Sequence, residues 1–242
     1  MIVTIVGDVS KTEATEIVQG LLQRVPQSGS PVAKLPEFER SPVEPLGQRE
    51  VAITFDSQQA HIAMGMTAIT RSNPDYFPLL VGNYVLGGGG FVSRLMSEVR
   101  EKRGLAYSVY AYAQQFAGSG QIGFYAGCNP SKAIEVVEII REVLADVADN
   151  GMSHEEIERA KGAVRGSLVL SQEDSGSRMS RIGKNEIVYG QVMDFDDILK
   201  AISRVSATDI REIAGEFLVK TPTLALVGPF KNESKFEKVL AR

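Results

Sequence analysis

The sequence predicts an α+β fold in which helices cover one mostly antiparallel sheet. Runs that alternate apolar and polar residues occur in adjacent pairs with short turns between them, as in β-hairpins. Longer segments with apolar residues at helical spacing separate these pairs. The 242 residues are 43% hydrophobic and 23% charged, which are ordinary values for a globular chain with a substantial core.

The first 26 residues predict a strand followed by a helix. Apolar residues dominate Ile2–Val6, and Gly7 and Asp8 end this run. Ser10 and Glu13 have the spacing of a capping box, in which each side chain hydrogen-bonds the other residue's backbone N–H. The apolar stripe of the helix that follows comprises Ala14, Ile17, Val18, Leu21 and Leu22.

A proline-rich segment then interrupts the regular structure. Half of the ten prolines fall between Pro26 and Pro45, and proline blocks helix continuation. The run TLALVG near the end resembles IVTIVG at the start, and each precedes a polar run and a helical stripe. We therefore expect a strand–helix tail of a preceding module at 1–26, a linker at 27–47 and one domain at 48–242.

Strong alternation predicts strands over Arg49–Asp56 and Ala60–Ile69. A hairpin is predicted at Leu105–Gln114 and Gln121–Cys128, and the last strand at Thr223–Val227. Helical spacing, caps and glycine stops predict helices over Asn73–Leu86, Phe91–Arg103, Pro130–Asp149, Ser153–Leu170, Ser177–Tyr189, Phe195–Arg204 and Thr208–Leu218.

The composition excludes several classes of function. A net charge of −4 argues against nucleic-acid binding, and no apolar run is long enough for a membrane span or a signal peptide. One cysteine, Cys128, excludes a disulfide within the chain and favours a cytoplasmic protein with an inert core thiol. With only two histidines, a Cys/His zinc site is nearly excluded.

Neither histidine has the surroundings of a metal ligand. His61 lies on a predicted strand, which favours a structural or surface role over ligation. His154 begins a helix, but the motif H-x-x-E-H needs a second histidine on the same helix face, and residues 155–159 contain none. We therefore expect no metal ligands and no cofactor in this chain.

Two segments keep alternative interpretations. The glycine run of Gly87, Gly88, Gly89 and Gly90 lacks the residues of a phosphate loop, so it is either a flexible helix joint or a loop that a peptide backbone approaches. Arg100, Arg103 and Tyr107 flank the turn at Gly104. Alternation places Tyr107 with Val109 in the core, whereas an accessible hydroxyl could instead donate to a carbonyl oxyanion while arginine holds substrate carbonyls.

The stretch from Leu86 to Ala113 resembles the second half of the pitrilysin/insulinase type of zinc metallopeptidase, which includes the mitochondrial processing peptidases. The stretch reads LGGGGFVSRLMSEVREKRGLAYSVYAYA. The resemblance extends over most of the chain through PSKAIEVV, SHEEIERAK and the closing TLALVGPF. It implies the half-clamshell metallopeptidase fold (LuxS/MPP-like).

The resemblance also implies a function. In this family two similar halves close around an unfolded peptide, and the first half carries H-x-x-E-H and the zinc. The second half contributes an Arg/Tyr pair that falls here on Arg100 and Tyr107, where Arg100 would hold substrate backbone and Tyr107 would stabilise the oxyanion. Gly87, Gly88, Gly89 and Gly90 correspond to a loop that helps to select substrates. The zinc motif is missing, so this chain alone should be inactive and zinc is expected in the partner half.

Three functions stay open at this point. The chain could be the C-terminal half of a single-chain zinc endopeptidase, a separate regulatory subunit of a two-chain peptidase, or a purely structural homologue like the core subunits of ubiquinol–cytochrome c reductase. The presence of both Arg100 and Tyr107 disfavours the structural homologue. Expected partners are an extended peptide and a zinc-bearing half or subunit, and a homo-oligomer is possible.

Overall fold

The computed structural model describes residues 2–25, 50–230, 236 and 239. The chain divides into two compact units, Met1–Pro45 with Ser167–Asp194, and Leu46–Gly166 with Phe195–Arg242. The predicted linker at 27–47 lies outside the described residues. Each unit is described below by itself.

The first unit contains helix α1 at Lys11–Leu22 and helix α5 at Ser175–Tyr189. The predicted capping box is present, because the Glu13 N–H donates to Ser10 Oγ and the Ser10 N–H donates to Glu13 Oε2. The predicted strand at Ile2–Val6 does not form, and no strand pairs with these residues in the described part of the chain. Extended backbone becomes a strand only when a neighbour supplies ladder hydrogen bonds.

The second unit is built on one five-stranded sheet. Its strands are β1 (Glu50–Thr54), β2 (Ala60–Thr67), β3 (Ala106–Gln115), β4 (Gly120–Cys128) and β5 (Thr223–Gly228). Their order is β1-β5-β2-β4-β3. Among the described strands, β1 and β5 alone pair in parallel and the other neighbours are antiparallel, so the sheet is mostly antiparallel as predicted.

One face of this sheet forms the core of the second unit. Alternate residues on the central strands are buried, and the large ones include Ile62, Met64, Phe124, Leu224 and Leu226. Helix α3 (Ala133–Asn150) contacts β2 and β4 and buries its own apolar stripe. Burial of this apolar surface is the main stabilising contribution to the unit.

The remaining helices agree with the predicted segments, with differences of a few residues at their ends. They are α2 (Tyr76–Asn83), α4 (His154–Leu170), which spans the boundary between the units, α6 (Phe195–Arg204) and α7 (Ala207–Phe217). No helix among the described residues is long and apolar enough to cross a membrane.

The two helices around the glycine run are less regular than the sequence predicts. Helix α2 continues as a π-helical turn at Tyr84–Gly88, a 3₁₀ turn covers Gly90–Val92, and the next helix widens into a π-helix at Met96–Glu101. Single π-turns of this kind occur often at functional sites, because they shift side chains relative to an α-helix.

Candidate functional site

Arg100 and Tyr107 are brought together by the turn at Gly104. Arg100 lies in the π-helix Met96–Glu101, and Tyr107 lies near the start of β3. Gly104 has φ of 63°, which glycine adopts readily, and its N–H donates to the Arg100 carbonyl over 2.9 Å. The chain reverses here, so that the Arg100 Cζ lies 4.8 Å from the centre of the Tyr107 ring.

Tyr107 points to solvent because the β3–β4 ladder contains an irregularity. Ala106 pairs with Cys128 and Ser108 pairs with Gly127, so Tyr107 has no partner residue of its own. An extra residue of this kind is a β-bulge, which re-aims side chains. Val109 is fully buried but Tyr107 is 76% exposed, and the interpretation of Tyr107 as a core residue is therefore wrong.

Phe91 completes this cluster. The centre of its ring lies 5.0 Å from Arg100 Cζ, and its side chain is 63% exposed. Both rings are within the distance at which a guanidinium is attracted to an aromatic face. The sequence pattern predicts Phe91 only as the start of a helix, although an aromatic residue directly after a glycine run is a signal for this cluster.

Arg103, the third member of the predicted cluster, is engaged elsewhere. Its guanidinium donates to the backbone carbonyl and the carboxylate of Glu98, and Lys102 donates to the same carboxylate. Hydrogen bonds from Lys102 and Arg103 lower the pKa of Glu98. Among the residues that the structure describes, Arg100 has no such acidic partner, so its N–H groups are available to a ligand.

The glycine run is a tightly packed turn and not a loose joint. A Cβ on Gly87 would lie 2.2 Å from the Ala111 amide nitrogen on β3, and one on Gly89 would lie 2.7 Å from the Tyr84 ring. Gly90 has φ of 60°. The close approach at Gly87 is therefore to the chain itself, whereas Gly88 is exposed and Gly89 and Gly90 are partly exposed.

The two histidines and the cysteine lie apart from this cluster. His61 is exposed on β2, with its Nδ1 2.7 Å from the Tyr125 hydroxyl, and His154 is exposed at the start of α4. Cys128 is buried, and burial raises the pKa of its thiol to about 11. The described residues contain no group of three or more His, Cys, Asp or Glu side chains that could hold a metal ion.

A separate ionic network surrounds Arg94. Its guanidinium donates to Glu156 over 2.7 and 2.9 Å, to Asp146 over 2.8 Å and to the Gly151 carbonyl over 3.1 Å. Hydrogen bonds from Arg94, assisted by the Ser153 N–H and hydroxyl, lower the pKa of Glu156 to about 2 despite partial burial. The network borders an open cavity of about 500 Å³, and because its charges satisfy one another we assign it to stability.

The second face of the sheet, opposite the core, carries several tyrosines and no charged side chain among its described positions. We call it the open sheet face. Tyr110 and Tyr125 lie on neighbouring strands with ring centres 5.0 Å apart, and Tyr112 lies 6.3 Å from Tyr110. None of its described positions carries a carboxylate, ammonium or guanidinium group. These positions are Ile53, His61, Ala63, Gly65, Thr67, Ser108, Tyr110, Tyr112, Gln114, Gln121, Gly123, Tyr125, Gly127, Thr223, Ala225 and Val227.

Comparison with known families identifies the fold. The family model for the peptidase M16 inactive domain matches residues 1–164. The chain belongs to the peptidase M16 inactive-domain family. The resemblance read from the stretch at Leu86–Ala113 is thereby confirmed.

Relatives of this M16 domain include bacterial proteins named as zinc proteases. One from Streptomyces coelicolor is 39% identical over 235 residues, covering 96% of this chain and 51% of the relative. One from Mycobacterium leprae is 35% identical over 244 residues, covering 99% of this chain and 53% of the relative. The chain thus spans about half the length of these curated relatives.

Solved structures agree with the assignment. A peptidase M16 inactive domain from Pseudomonas fluorescens has a TM-score of 0.79 at 26% identity, covering 93% of this chain and 52% of that one. A protease from Helicobacter pylori has a TM-score of 0.80 at 20% identity, covering 93% of this chain and 54% of that one, and shows likeness of fold. The predicted α+β half-clamshell class is confirmed.

Proposed function

We propose that this M16 domain is the non-catalytic half of a zinc metalloendopeptidase. In this proposal it binds extended, unfolded peptide and supplies Arg100 and Tyr107 to an active site whose zinc is held by another half or by a partner subunit. The observation that carries the proposal is the accessible pairing of these two side chains at 4.8 Å. The family membership and the relatives named zinc proteases support it.

Arg100 has the properties of a group that binds peptide backbone. A guanidinium presents several N–H donors in one plane and suits carbonyl and carboxylate oxygens. Its positive charge is not neutralised by a carboxylate within the described residues, unlike the charges of Arg94 and Arg103. A peptide carbonyl can therefore accept from Arg100 without displacing an internal ion pair.

Tyr107 has the properties of an electrophilic helper. Its side chain is 76% exposed, so the hydroxyl can reach a bound peptide. When a scissile carbonyl is attacked, negative charge develops on its oxygen, and a hydroxyl that donates to this oxygen stabilises the transition state more than the ground state. The adjacent Arg100 guanidinium adds positive charge at the same place.

The side chains that the structure describes do not fit a zinc site. A catalytic zinc takes three protein ligands, and the described residues contain no group of three or more His, Cys, Asp or Glu side chains that could hold a metal ion. We therefore propose that zinc belongs to the partner half. In the same proposal, residues 1–26 are a tail of the preceding half, 27–47 a linker and 48–242 the domain.

The open sheet face, the glycine run and the buried thiol bear on the peptide that is bound and on the cellular compartment. The open sheet face offers tyrosines and small residues without charge, which suits neutral segments of an extended chain. We propose that Gly88, Gly89 and Gly90 contact substrate. Gly87 instead packs closely on β3 and so holds the glycine run in place. A buried lone thiol is consistent with a cytoplasmic location.

Binding of unfolded polypeptide to the 242-residue chain tests the proposal directly. The probe is fluorescein-labelled lactalbumin, reduced and carboxymethylated so that it stays unfolded, followed by fluorescence anisotropy. We expect saturable binding without cleavage. Arg100→Leu should weaken it by about ten-fold or more, since a hydrogen bond to a charged group contributes about 1.5 to 3 kcal/mol.

A matched control separates this effect from the loss of any positive charge. Arg211 is an exposed arginine on α7, and Arg211→Leu should leave the affinity unchanged. Absence of binding by the wild-type chain, or equal weakening by both substitutions, would contradict a peptide-binding role of Arg100.

A structural role is the second candidate, because the fold also occurs in a chain of a larger complex. A chain of Complex III2 from Candida albicans has a TM-score of 0.67 at 17% identity, covering 79% of this chain and 49% of that one. If the role is purely structural, the chain should show no peptide binding that depends on Arg100. The anisotropy experiment therefore decides between the two functions.

A further inference from the structure

We infer that Phe91 is a positioning residue that acts through Arg100. Its ring, centred 5.0 Å from Arg100 Cζ, keeps the guanidinium beside Tyr107 in the orientation that receives peptide. The inference rests on the proposed function, because it takes Arg100 as the peptide-binding group. It adds a third residue, on a different turn, to the Arg/Tyr pair.

The turn that carries Phe91 is held in place although the ring is exposed. Ser93 is buried, and both its hydroxyl and its backbone N–H donate to the Gly90 carbonyl, over 2.6 and 3.0 Å. Gly90 has φ of 60°, a conformation that glycine adopts without strain. Phe91 therefore projects from a fixed three-residue turn, and its ring can restrain a neighbour.

Arg100 depends on aromatic contacts for its orientation. Neighbouring cations are fixed by carboxylates, Arg94 by Asp146 and Glu156, and Lys102 by Glu98. For Arg100 the described residues provide two rings and no carboxylate. A long side chain held in this way keeps its in-plane N–H groups free for a ligand while the rings limit its rotamers.

Phe91 and Tyr107 differ in what they can do chemically. Both attract the guanidinium, but the phenylalanine ring has no hydrogen-bonding group. Phe91 can influence a bound peptide through Arg100 or through its own apolar contact with the peptide. The two effects can be separated, because only the effect through Arg100 is lost when Arg100 is replaced.

The first measurement reports the orientation of Arg100 without any peptide. In an NMR spectrum of the arginine Nε–H groups of the 242-residue chain, the Arg100 signal is identified by its loss in Arg100→Leu. We expect ring-current displacement of this signal and a clear change in Phe91→Leu. Phe91→Tyr should retain the displacement, and Phe116→Leu, at a second exposed phenylalanine (57% against 63%), should not alter it.

The second measurement is a double-mutant cycle on binding of the labelled, unfolded lactalbumin. Phe91→Leu should weaken affinity about two- to five-fold, the range expected for one exposed cation–π contact, and Phe91→Tyr should restore it. In the Arg100→Leu background, Phe91→Leu should have no further effect. An equal loss in both backgrounds would overturn action through Arg100.

The two proposals fail in different ways. An Arg100 signal that is the same in Phe91→Leu and wild type would overturn positioning by Phe91. Wild-type affinity in Arg100→Leu would overturn the peptide-binding role of Arg100, and with it the proposed function. Phe91 is largely exposed, so circular dichroism should show that its variants fold.

Discussion

The Tyr107 ring lies beside the Arg100 guanidinium because a β-bulge turns Tyr107 out of the regular alternation of β3. Without the bulge, this side chain would follow Val109 into the core. The same irregularity thus creates the exposed hydroxyl on which the proposed chemistry depends.

Tyr107→Phe should separate binding from catalysis. In the proposed enzyme, in which the chain is assembled with a zinc-bearing half, we expect kcat to fall about 100-fold, because the lost hydroxyl acts on charge that develops in the transition state. Peptide affinity of the 242-residue chain should stay within about two-fold, since the ring that contacts Arg100 remains. Steady-state kinetics with a quenched fluorescent peptide measures the first effect. Unchanged kcat in a folded variant would contradict the role of the hydroxyl.

The Arg94–Glu156 pair should make stability depend on acid pH. The pKa of Glu156 lies at about 2 in the folded chain, below its ordinary 4.5, so its contribution is present above pH 4.5 and is lost as pH falls towards 2. At pH 6 we expect Glu156→Gln to lower the free energy of unfolding by about 1 kcal/mol or more, after allowance for partial solvent screening. Urea unfolding at pH 6 and pH 3 measures the difference.

The neighbouring Glu155 provides the control for this experiment. Its side chain is 84% exposed and pairs with Arg159 at the surface, where ion pairs contribute little. Glu155→Gln should therefore change stability slightly at either pH. A Glu156→Gln deficit that stays equally large at pH 3 would show that the ion pair is not its source.

Gly87→Ala should destabilise the domain by about 1 to 3 kcal/mol, the range for overpacking a tight contact. The added Cβ would lie 2.2 Å from the Ala111 nitrogen, so the π-helical turn must move away from β3. Gly118→Ala is the matched control, because nothing lies within 4 Å of a Cβ there. Thermal unfolding of both variants checks this, and equal melting temperatures would disprove the close packing.

Cys128 should react with thiol reagents only when the protein unfolds. The thiol is 3% exposed with a pKa near 11, so at pH 8 the nucleophilic thiolate is scarce and shielded. Labelling with Ellman's reagent should be slow in buffer and fast in urea. Rapid stoichiometric labelling of the folded chain would contradict burial of this strand end.

Metal removal should leave the folded chain unaffected. The described residues offer no ligand cluster, and therefore EDTA should not shift the thermal midpoint and dialysed protein should hold zinc well below one equivalent. Elemental analysis after dialysis provides the measurement. One tightly bound zinc per chain would contradict the proposal that zinc is held by the partner half.

Local patterns predicted most of the elements because their causes are local. The helix over Phe195–Arg204 is found with the predicted bounds, and the predicted capping box at Ser10 is present. These features depend on residues three or four positions apart, which the sequence displays directly.

The sequence-based predictions that were wrong or incomplete concern features that depend on partners elsewhere in the chain. The exposure of Tyr107 follows from its register against Cys128 and Gly127, twenty or so residues away. The segment Ile2–Val6 has the composition of a strand but no strand beside it in the described chain. The contact between Phe91 and Arg100 exists only in the folded chain, where the turn brings the ring beside the guanidinium.

The position of β5 between β1 and β2 has a consequence for folding. Glu50 pairs with Leu224, so the β1–β5 ladder joins positions 174 residues apart, and among the described strands β1 has no other partner. Contacts of such high contact order form slowly, because a long loop must close before they contribute. During synthesis on the ribosome, β1 stays unpaired until residues 224–228 have emerged, which makes it a candidate site for transient binding by chaperones.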